Sequence, residues 1–235
     1  MSKYSYDSWY QKEYWLGQKT YRTADGKEHV YHGPSLVWEG FDLVADALTK
    51  ILPKGSLLDV GCGGGDLTRR LQHRGFDTRG VDISEYAIEN CAPDMRDRLM
   101  LADISQKPHV NGPYDIVIAS DFLEHVYAED IDSVFDWMLD NTKRFMFFCV
   151  AVSDGEEFVH TKGVEIPLRW ESTCAAGHVH VRRWPYWAKY FLNKGLKIRW
   201  DLAYAFQILR EKSPAWKGTG GWDLQSTWVL EKIGA

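Results

Sequence analysis

The segment from Asp59 to Asp66 holds the residues whose types and spacing most clearly indicate chemistry. Glycine stands at 61, 63 and 65, directly after a short apolar run. Because glycine lets the backbone turn tightly and lets a ligand lie against bare main chain, the pattern predicts a nucleotide-type pocket at a strand end. Asp66 occupies the third glycine position of the nicotinamide fingerprint, where its carboxylate would repel a pyrophosphate. The pocket is therefore expected to take a cofactor without phosphate; an ordinary glycine-rich turn is the alternative.

Further polar residues recur where later strands are expected to end. Asp82 closes one apolar run, Asp103 the next, and Ser120 with Asp121 the one after. The positions 59, 82, 103 and 121 fit a β/α repeat of about twenty residues. Together with the Asp59–Gly65 sequence DxGxGxG, these strand ends resemble those of the class I S-adenosylmethionine-dependent methyltransferases, over residues 40 to 152.

The resemblance implies a cofactor, S-adenosylmethionine, and a set of residues that bind it. In the family an acidic residue at the second strand end accepts hydrogen bonds from the ribose hydroxyls, a carboxylate being able to accept two at once. The implied cofactor-binding residues are Asp59, Gly61, Cys62, Gly63, Asp82, Ile83, Asp103, Ile104 and Ser120. The implied fold is α/β: a Rossmann-like, doubly wound, mostly parallel seven-stranded sheet with an antiparallel last strand.

Three histidines are the candidate catalytic residues: His125, His178 and His180. Methyl transfer from a sulfonium is an in-line displacement, so the protein positions the acceptor and removes its proton when the acceptor is a hydroxyl. His125 follows the fourth strand end and has a suitable ordinary pKa; alternatively, it only begins the next helix. His178 and His180 alternate as on a strand, so both could face the acceptor or solvent. Arg182 and Arg183 could hold an anionic substrate group.

A divalent metal site is a second hypothesis for the same region. Asp121, Glu124 and His125 stand at i, i+3 and i+4, and His178 or His180 could join them. Some ubiquinone-pathway and small-RNA ribose O-methyltransferases show a similar ExxEH motif, with Glu where this chain has Asp. The alternative is that these groups cap a helix, and metal dependence is left open.

The order of apolar runs predicts the elements that position these residues. Strands and helices alternate up to residue 152, which predicts a parallel sheet covered on both faces. A helix is expected first, at 41–51. The predicted strands are 56–60, 78–81, 99–102, 114–120 and 144–152, and the helices between them are 66–74, 85–91 and about 128–141. About thirty irregular residues follow, then a helix at 185–194 and two terminal strands near 196–209 and 226–232.

Aromatic residues are concentrated before the sheet. Residues 1 to 38 contain Tyr4, Tyr6, Trp9, Tyr10, Tyr14, Trp15, Tyr21, Tyr31 and Trp38, without a strand period. This predicts a cap or lid over residues 1–39, followed by a class I methyltransferase domain at 40–235. Because a long irregular excursion inside a compact domain is usually functional, residues 153–184 are expected to form a substrate-side insertion.

Composition excludes several classes of function. The 235 residues are 45% hydrophobic and 26% charged with a net charge of −5, which predicts one folded unit without general attraction to nucleic acid. The four scattered cysteines and the absence of an apolar leader predict free thiols in the cytoplasm. No apolar run approaches the ~20 residues that span a bilayer, so no membrane partner is expected.

The combined expectation is a methyltransferase that methylates the hydroxyl of a small-molecule acceptor. The NPPY-type tetrapeptide of many amino-group methyltransferases is absent at Ser120–Leu123, which disfavours transfer to exocyclic amines. An RNA ribose O-methyltransferase and a catalytically inactive, cofactor-binding partner subunit are the alternatives. The sequence leaves open the acceptor's identity and whether the chain forms a homo-oligomer.

Overall fold

The structure is a computed structural model that describes residues 9–22, 28–31, 36–155, 157–160, 162, 177–211 and 224–234. The N-terminal segment forms a short helix, α1 (Lys12–Trp15), and an antiparallel pair, β1 (Lys19–Arg22) and β2 (Glu28–Tyr31). The predicted cap residues Tyr4 and Tyr6 lie outside the described residues. This N-terminal segment is called the cap below, and its role as a cap or lid stays a prediction.

Helices and strands alternate from residue 40 onward. In chain order they are α2 (Gly40–Ile51), β3 (Ser56–Val60), α3 (Asp66–His73), β4 (Asp77–Asp82), α4 (Glu85–Glu89), β5 (Leu99–Leu101), β6 (Tyr114–Ser120), α5 (Ile131–Asp140), β7 (Thr142–Cys149), β8 (Phe158–Val159), β9 (His180–Val181), α6 (Trp184–Asn193), β10 (Leu196–Ile198), α7 (Trp200–Glu211) and β11 (Thr227–Lys232). Short 3₁₀ turns occupy Pro93–Arg98, Ile104–Gln106 and Leu123–His125.

Seven strands form the central sheet in the order β10-β11-β7-β6-β3-β4-β5. The pairs from β7 to β5 are parallel, whereas β11 is antiparallel to both of its neighbours, β7 and β10. The predicted Rossmann-like sheet with an antiparallel last strand is confirmed. The chain runs outward from β3 to β5 and then crosses back to β6, so the strand order reverses between β3 and β6. Ligands of such sheets bind at the carboxyl ends of the strands beside this reversal.

Both faces of the sheet are covered, because each central strand is apolar on both sides. In β6, Val117 and Ala119 belong to one buried cluster, whereas Ile116 and Ile118 belong to the other. The first cluster includes α5, α6 and the aromatic rings of Phe148, Trp187, Phe191 and Trp228; Phe191 stacks with Phe148 and Trp187 and meets Trp228 edge-on. The second packs α2 and α7 against the opposite face. Rigid support on both sides fixes the strand ends.

The predicted terminal strand near 196–209 is wrong. Only Leu196–Ile198 is extended, and Trp200–Glu211 is a helix. Its buried residues, Ala203, Phe206 and Gln207, recur at i, i+3 and i+4, which is the period of a helix with one face on the core. Because these residues pack against the core at helical spacing, the segment forms a helix rather than a strand.

Two observations on the described residues concern membrane-spanning helices and disulfides. None of the described helices is long and apolar enough to cross a bilayer. The described cysteines, Cys62, Cys91 and Cys149, form no disulfide. Cys174, the fourth predicted thiol, lies outside the described residues.

Candidate functional site

The glycine loop turns sharply where β3 ends. Gly61, Gly63 and Gly65 have φ values of +74°, +54° and +76°, in the left-handed region that favours glycine. The Gly61 amide donates to the Val81 carbonyl at 2.9 Å, which ties the loop to the end of β4. A Cβ atom at Gly61 would lie 2.6 Å from a ring carbon of Phe122. Both the backbone conformation and the crowding therefore require glycine here.

Asp82 is fixed at the end of β4 by main-chain amides. The Gly63 amide donates to Asp82 Oδ2 at 2.7 Å, and the Ser84 amide donates to Oδ1 at 2.8 Å. Burial raises the pKa of Asp82, and these amide hydrogen bonds oppose that effect. Each carboxylate oxygen keeps a second lone pair. The Asp82 carboxylate is thus held rigidly and can still accept hydrogen bonds from a pair of hydroxyls.

Asp59 and Cys62 lie beneath the loop. The Thr68 hydroxyl donates to Asp59 Oδ2 at 2.6 Å, and burial raises the pKa of Asp59 to about 7. The Cys62 sulfur packs against Gly80 so closely that a Cβ atom there would lie 2.7 Å from it. Neither residue is among the described lining of the adjacent cavity. Their direct contact with a cofactor stays a prediction.

A cavity opens beside the ends of β3, β4 and β6. Its described lining residues are Tyr10, Tyr14, Trp15, Gly61, Asp82, Ile83, Ala102, Asp103, Ile104, Ser105, Asp121, Phe122, His125, Val126 and Val134. Five predicted cofactor residues are therefore brought together from three loops. Ser120 lies beside the cavity, and its hydroxyl donates to Asp121 Oδ2 at 3.0 Å. Asp121 has a φ of +51°, a strained conformation for a residue other than glycine, directly at the end of β6.

The cap docks on the loop that carries Asp82. The Trp15 indole N–H lies 2.8 Å from the Ser84 hydroxyl and 3.0 Å from the Tyr10 carbonyl. The Ser84 hydroxyl in turn donates to that Tyr10 carbonyl. The Trp15 ring covers Gly63, where an added Cβ would lie 2.7 Å from it. Cap and cofactor loop thus share one hydrogen-bonded contact.

Glu124, His125 and His178 form a polar cluster in which His125 lines the cavity, Glu124 is buried and the two imidazoles are half-buried. Their candidate ligand atoms all lie within 4.8 Å of one another. Glu124 is fully buried; its Oε1 accepts from the Ala151 amide at 3.0 Å, while its Oε2 has no partner among the described residues. Burial, reinforced by the charge of Asp121, raises the pKa of Glu124 well above its usual range.

His125 links this cluster to the cap. Its Nδ1 lies 2.8 Å from the Tyr10 hydroxyl and 3.2 Å from the Gly177 carbonyl oxygen. The rings of His125 and His178 are 4.8 Å apart between centroids, in an edge-to-face arrangement. Burial lowers the pKa of His125 to about 4 and that of His178 well below its usual range. Both imidazoles are neutral at physiological pH.

This arrangement of glycine loop, strand-end acids and sheet order agrees with a sequence-family match. A family described as "Methyltransferase domain" matches residues 37–199, more than half of the chain. The chain belongs to the S-adenosylmethionine-dependent methyltransferases. The predicted family is therefore confirmed.

Curated relatives resemble this methyltransferase over part of their length. The magnesium-protoporphyrin O-methyltransferase of Rhodobacter capsulatus is 31% identical over 137 residues, covering 55% of this chain and 60% of the relative. The ubiquinone biosynthesis O-methyltransferase of Caulobacter vibrioides is 33% identical over 79 residues, covering 30% of this chain and 31% of the relative. The matches thus span about a third to three fifths of these relatives.

Solved structures share the fold at low sequence identity. An S-adenosylmethionine-dependent methyltransferase from Clostridium acetobutylicum superposes with a TM-score of 0.53 at 16% identity, covering 82% of this chain and 90% of that one. The plantazolicin methyltransferase BpumL superposes with a TM-score of 0.57 at 15% identity, covering 83% and 86%. The likeness supports the fold of this methyltransferase.

The structure separates two histidines that the sequence placed on one side. His178 contacts His125, whereas His180 is buried against Trp187, with ring centroids 5.5 Å apart. Arg182 Nε lies 3.3 Å from His180 Nε2. His180 is absent from the described cavity lining. A catalytic role for His180 stays a prediction, and its surroundings favour a packing role.

The predicted substrate-side arginines contact an acid instead. Arg182 forms an ion pair with Glu157 at 3.3 Å, and the Arg183 amide donates to Glu157 Oε1 at 2.7 Å. The guanidinium of Arg182 also lies over the Tyr186 ring. Neither arginine is part of the described cavity lining. Both contact Glu157, and a substrate-binding role for them stays a prediction.

A divalent metal ion fits the donor set of the polar cluster. A carboxylate and two imidazoles are ligands that first-row metals accept. The Oε2 of Glu124 and the Nδ1 of His178 are buried without a hydrogen-bond partner among the residues described. The residues that the structure groups are Glu124, His125 and His178. Asp121 and His180, which the sequence hypothesis also offered as ligands, are not part of this group. Asp121 instead lines the cavity.

Sequence reasoning did not single out Tyr10 or the Gly177 carbonyl as site groups. The only signal was the excess of aromatic residues before residue 39. Tyr10 is 115 residues from His125, and no local spacing relates the two. Only the folded chain brings them together.

Proposed function

We propose that this methyltransferase transfers the methyl group of S-adenosylmethionine to a hydroxyl of a small-molecule acceptor. The observation that carries the proposal is the position of His125, a half-buried neutral imidazole, in the same cavity as Asp82 and Asp103. One side of the cavity offers carboxylates to a nucleoside. The other offers a group that can accept a proton.

The reaction conserves charge within the cavity. The acceptor oxygen attacks the methyl carbon in line, the carbon–sulfur bond breaks, and its electron pair returns to sulfur as the demethylated cofactor leaves. The hydroxyl proton passes to the His125 imidazole, so the positive charge of the sulfonium is replaced by that of an imidazolium. General base catalysis contributes about 10²–10⁴-fold when the pKa of the base lies near the operating pH. The pKa of His125, about 4, keeps the imidazole neutral and able to accept the proton but makes it a weak base until a bound ligand raises that pKa.

A bound divalent cation is a second candidate device. The specific observation that favours it is the buried, unpartnered Glu124 Oε2 beside His125 and His178, within the described part of the chain. Such a cation would lower the pKa of a hydroxyl that it contacts. Glu124, His125 and His178 would then serve as its ligands.

The cavity wall favours an aromatic acceptor that is not an anion. Tyr10, Tyr14, Trp15 and Phe122 supply aromatic surface. The described lining includes the carboxylates of Asp82, Asp103 and Asp121 and neither Lys nor Arg. Asp82 and Asp103 are assigned to the cofactor, so the carboxylate facing an acceptor would be that of Asp121, which disfavours a phosphate or carboxylate on the acceptor. This supports a small phenolic acceptor over the ribose of an RNA strand.

We also propose that residues 1–39 act as a lid on the domain formed by residues 40–235. Trp15 and Tyr10 contact the cofactor loop and the candidate base. The buried members of the two large clusters all lie beyond residue 40, and from the lid segment only the partly buried Trp38 is described as packing against them. Removing residues 1–38 is expected to leave a folded core, measured by circular dichroism, with impaired turnover. A truncated chain that does not fold would show that the aromatic segment belongs to the core.

Calorimetry followed by an acceptor panel tests the proposed function. The wild-type chain is titrated with S-adenosylmethionine, its demethylated product and NAD, and only the first two are expected to bind. Labelled methyl donor is then supplied with phenols and with matched anilines, benzoates and methyl ethers, with and without chelator. Transfer confined to the phenols is expected. Tight NAD binding, or transfer confined to amines or carboxylates, would contradict the proposal.

The chelator arm separates the two catalytic devices. Loss of phenol methylation in chelator, restored by added Mg²⁺ or Mn²⁺, would identify the polar cluster as a metal site. Full activity in chelator would leave His125 as a general base.

A further inference from the structure

Three polar atoms from distant parts of the chain meet beside the cavity. The Tyr10 hydroxyl lies 2.8 Å from His125 Nδ1 and 3.3 Å from the Gly177 carbonyl oxygen. His125 Nδ1 lies 3.2 Å from that same carbonyl oxygen. The cap, the turn after β6 and the start of the segment before β9 each contribute one atom.

The chemistry of these atoms restricts where the hydrogens lie. A carbonyl oxygen only accepts, a hydroxyl donates once and accepts, and a neutral imidazole carries one N–H. With the hydrogen on Nδ1, His125 donates to both oxygens, and the Tyr10 hydroxyl donates to Gly177. With Nδ1 unprotonated, its lone pair would face the Gly177 oxygen at 3.2 Å with no hydrogen between them. The first arrangement satisfies all three atoms.

We propose that Tyr10 is a positioning residue which, together with the Gly177 carbonyl, holds His125 in the tautomer with its hydrogen on Nδ1. The Nε2 lone pair is then the one available for the acceptor's proton. This inference rests on the proposed function, because it specifies which nitrogen of His125 works. It also makes the catalytic state of a residue in the sheet domain dependent on a residue of the cap.

The backbone at Gly177 is shaped for this contact. Its φ is +85°, and an added Cβ would lie 2.8 Å from the Tyr10 hydroxyl and 2.6 Å from the Trp9 ring nitrogen. Any other residue at 177 would push the cap residues away. The cap is further fastened by the Trp15 contact with Ser84, so Tyr10 is held from two directions.

Nitrogen-15 NMR of histidine-labelled protein tests the tautomer without substrate or turnover. His125→Gln identifies the resonances, and chelator is present throughout. In the wild type, a protonated Nδ1 and an unprotonated Nε2 are expected. In Tyr10→Phe, which keeps the ring and loses the hydroxyl, the population with hydrogen on Nε2 should rise. Tyr14→Phe, whose ring packs edge-on against Tyr10, should keep the wild-type tautomer.

A second variant protects the test against a folding defect. Gly177→Ala should displace the Tyr10 hydroxyl and produce the same spectral change as Tyr10→Phe. A wild-type spectrum with hydrogen on Nε2 would overturn the proposal. Wild-type tautomers in both variants would overturn it as well.

Kinetics supply the functional readout. Tyr10→Phe should lower kcat by about 10- to 100-fold, the usual cost of losing a partner that orients a functional histidine. The dissociation constant for the cofactor should stay within about twofold, because the lost bond lies on His125 rather than on Asp82. An unchanged kcat would overturn the proposal. The expected spectra combined with no transfer to any hydroxyl would refute the proposed function and leave the tautomer assignment standing.

Discussion

The two sides of the cavity differ in how their polar groups are satisfied. On the cofactor side, both oxygens of Asp82 accept hydrogen bonds from main-chain amides. On the acceptor side, Glu124 Oε2 and His178 Nδ1 are buried with no partner in the described part of the chain. The carboxylate on the cofactor side thus has hydrogen-bond partners without a ligand, whereas two polar atoms on the acceptor side have none among the described residues.

The difference shows what each side is built for. A buried polar atom without a partner costs about 1–3 kcal/mol, and native structures hold few of them. Such groups are tolerated where function requires them. Under the proposed function, the cofactor side is preformed, while the acceptor side keeps polar groups that a ligand could bind. Changes on the two sides should therefore separate cofactor affinity from turnover.

The largest expected effect lies on the acceptor side. Replacing His125, His178 and His180 together with Ala should reduce turnover by about 10²–10⁴-fold, because proton removal or metal binding would be lost. Cofactor affinity should change little, since Asp82 and Gly61 remain. Steady-state kinetics and calorimetry measure the two quantities. His109→Ala, at an exposed position, is the matched control, and wild-type turnover in the triple variant would leave positioning as the only catalytic device.

On the cofactor side, a smaller effect is expected, and it should lower cofactor affinity. Asp82→Ala should weaken binding of the demethylated cofactor by about 1.5–3 kcal/mol, the cost of losing hydrogen bonds to a charged group. Calorimetry measures it as a rise in Kd of roughly 10- to 150-fold. Asp77→Ala, at the other end of β4 and paired with Arg98, is the control and should bind normally. Equal affinities for both variants would refute the ribose assignment.

A third effect concerns stability beneath the glycine loop rather than ligand binding or turnover. Burial raises the pKa of Asp59 to about 7, against about 3.9 in an unfolded chain. Between these values only the folded state keeps the proton, so the contribution of Asp59 to stability is present below about pH 3.9 and is lost as the pH rises towards about 7. Asp59→Asn should therefore gain stability relative to the wild type over that range.

Urea denaturation at several pH values checks this prediction. The difference in free energy of unfolding between Asp59→Asn and the wild type should change with pH up to about 7 and then level off. Asp140→Asn, at an exposed position, controls for the loss of one negative charge. A difference that does not vary with pH would show that Asp59 ionises normally.

The sequence was sufficient for the fold class and for the strand ends that meet at the cavity, because these signals are local. Asp59 to Gly65 is one contiguous motif, and Asp82, Asp103 and Asp121 each follow a strand whose partners are fixed by βα alternation. The carboxyl ends of parallel strands converge, so the cavity could be predicted without knowing the path of any loop.

The acceptor side depends on contacts that spacing does not encode. Tyr10 meets His125 across 115 residues, and the Gly177 carbonyl reaches it across 52. Alternation placed His178 and His180 on one side, but His178 precedes β9 and follows the turn at Gly177, so the strand period does not apply to it. The helix at 200–211 was missed for a similar reason, since burial by α2 decides its face.

The Trp15 ring that covers Gly63 has a consequence for the time course of the reaction. The ring lines the cavity, packs on Gly63 and is hydrogen-bonded to Ser84. We predict that release of the spent cofactor requires this indole first to lose its hydrogen bond. We expect the first turnover to be faster than those that follow, giving a burst of product equal to the amount of enzyme.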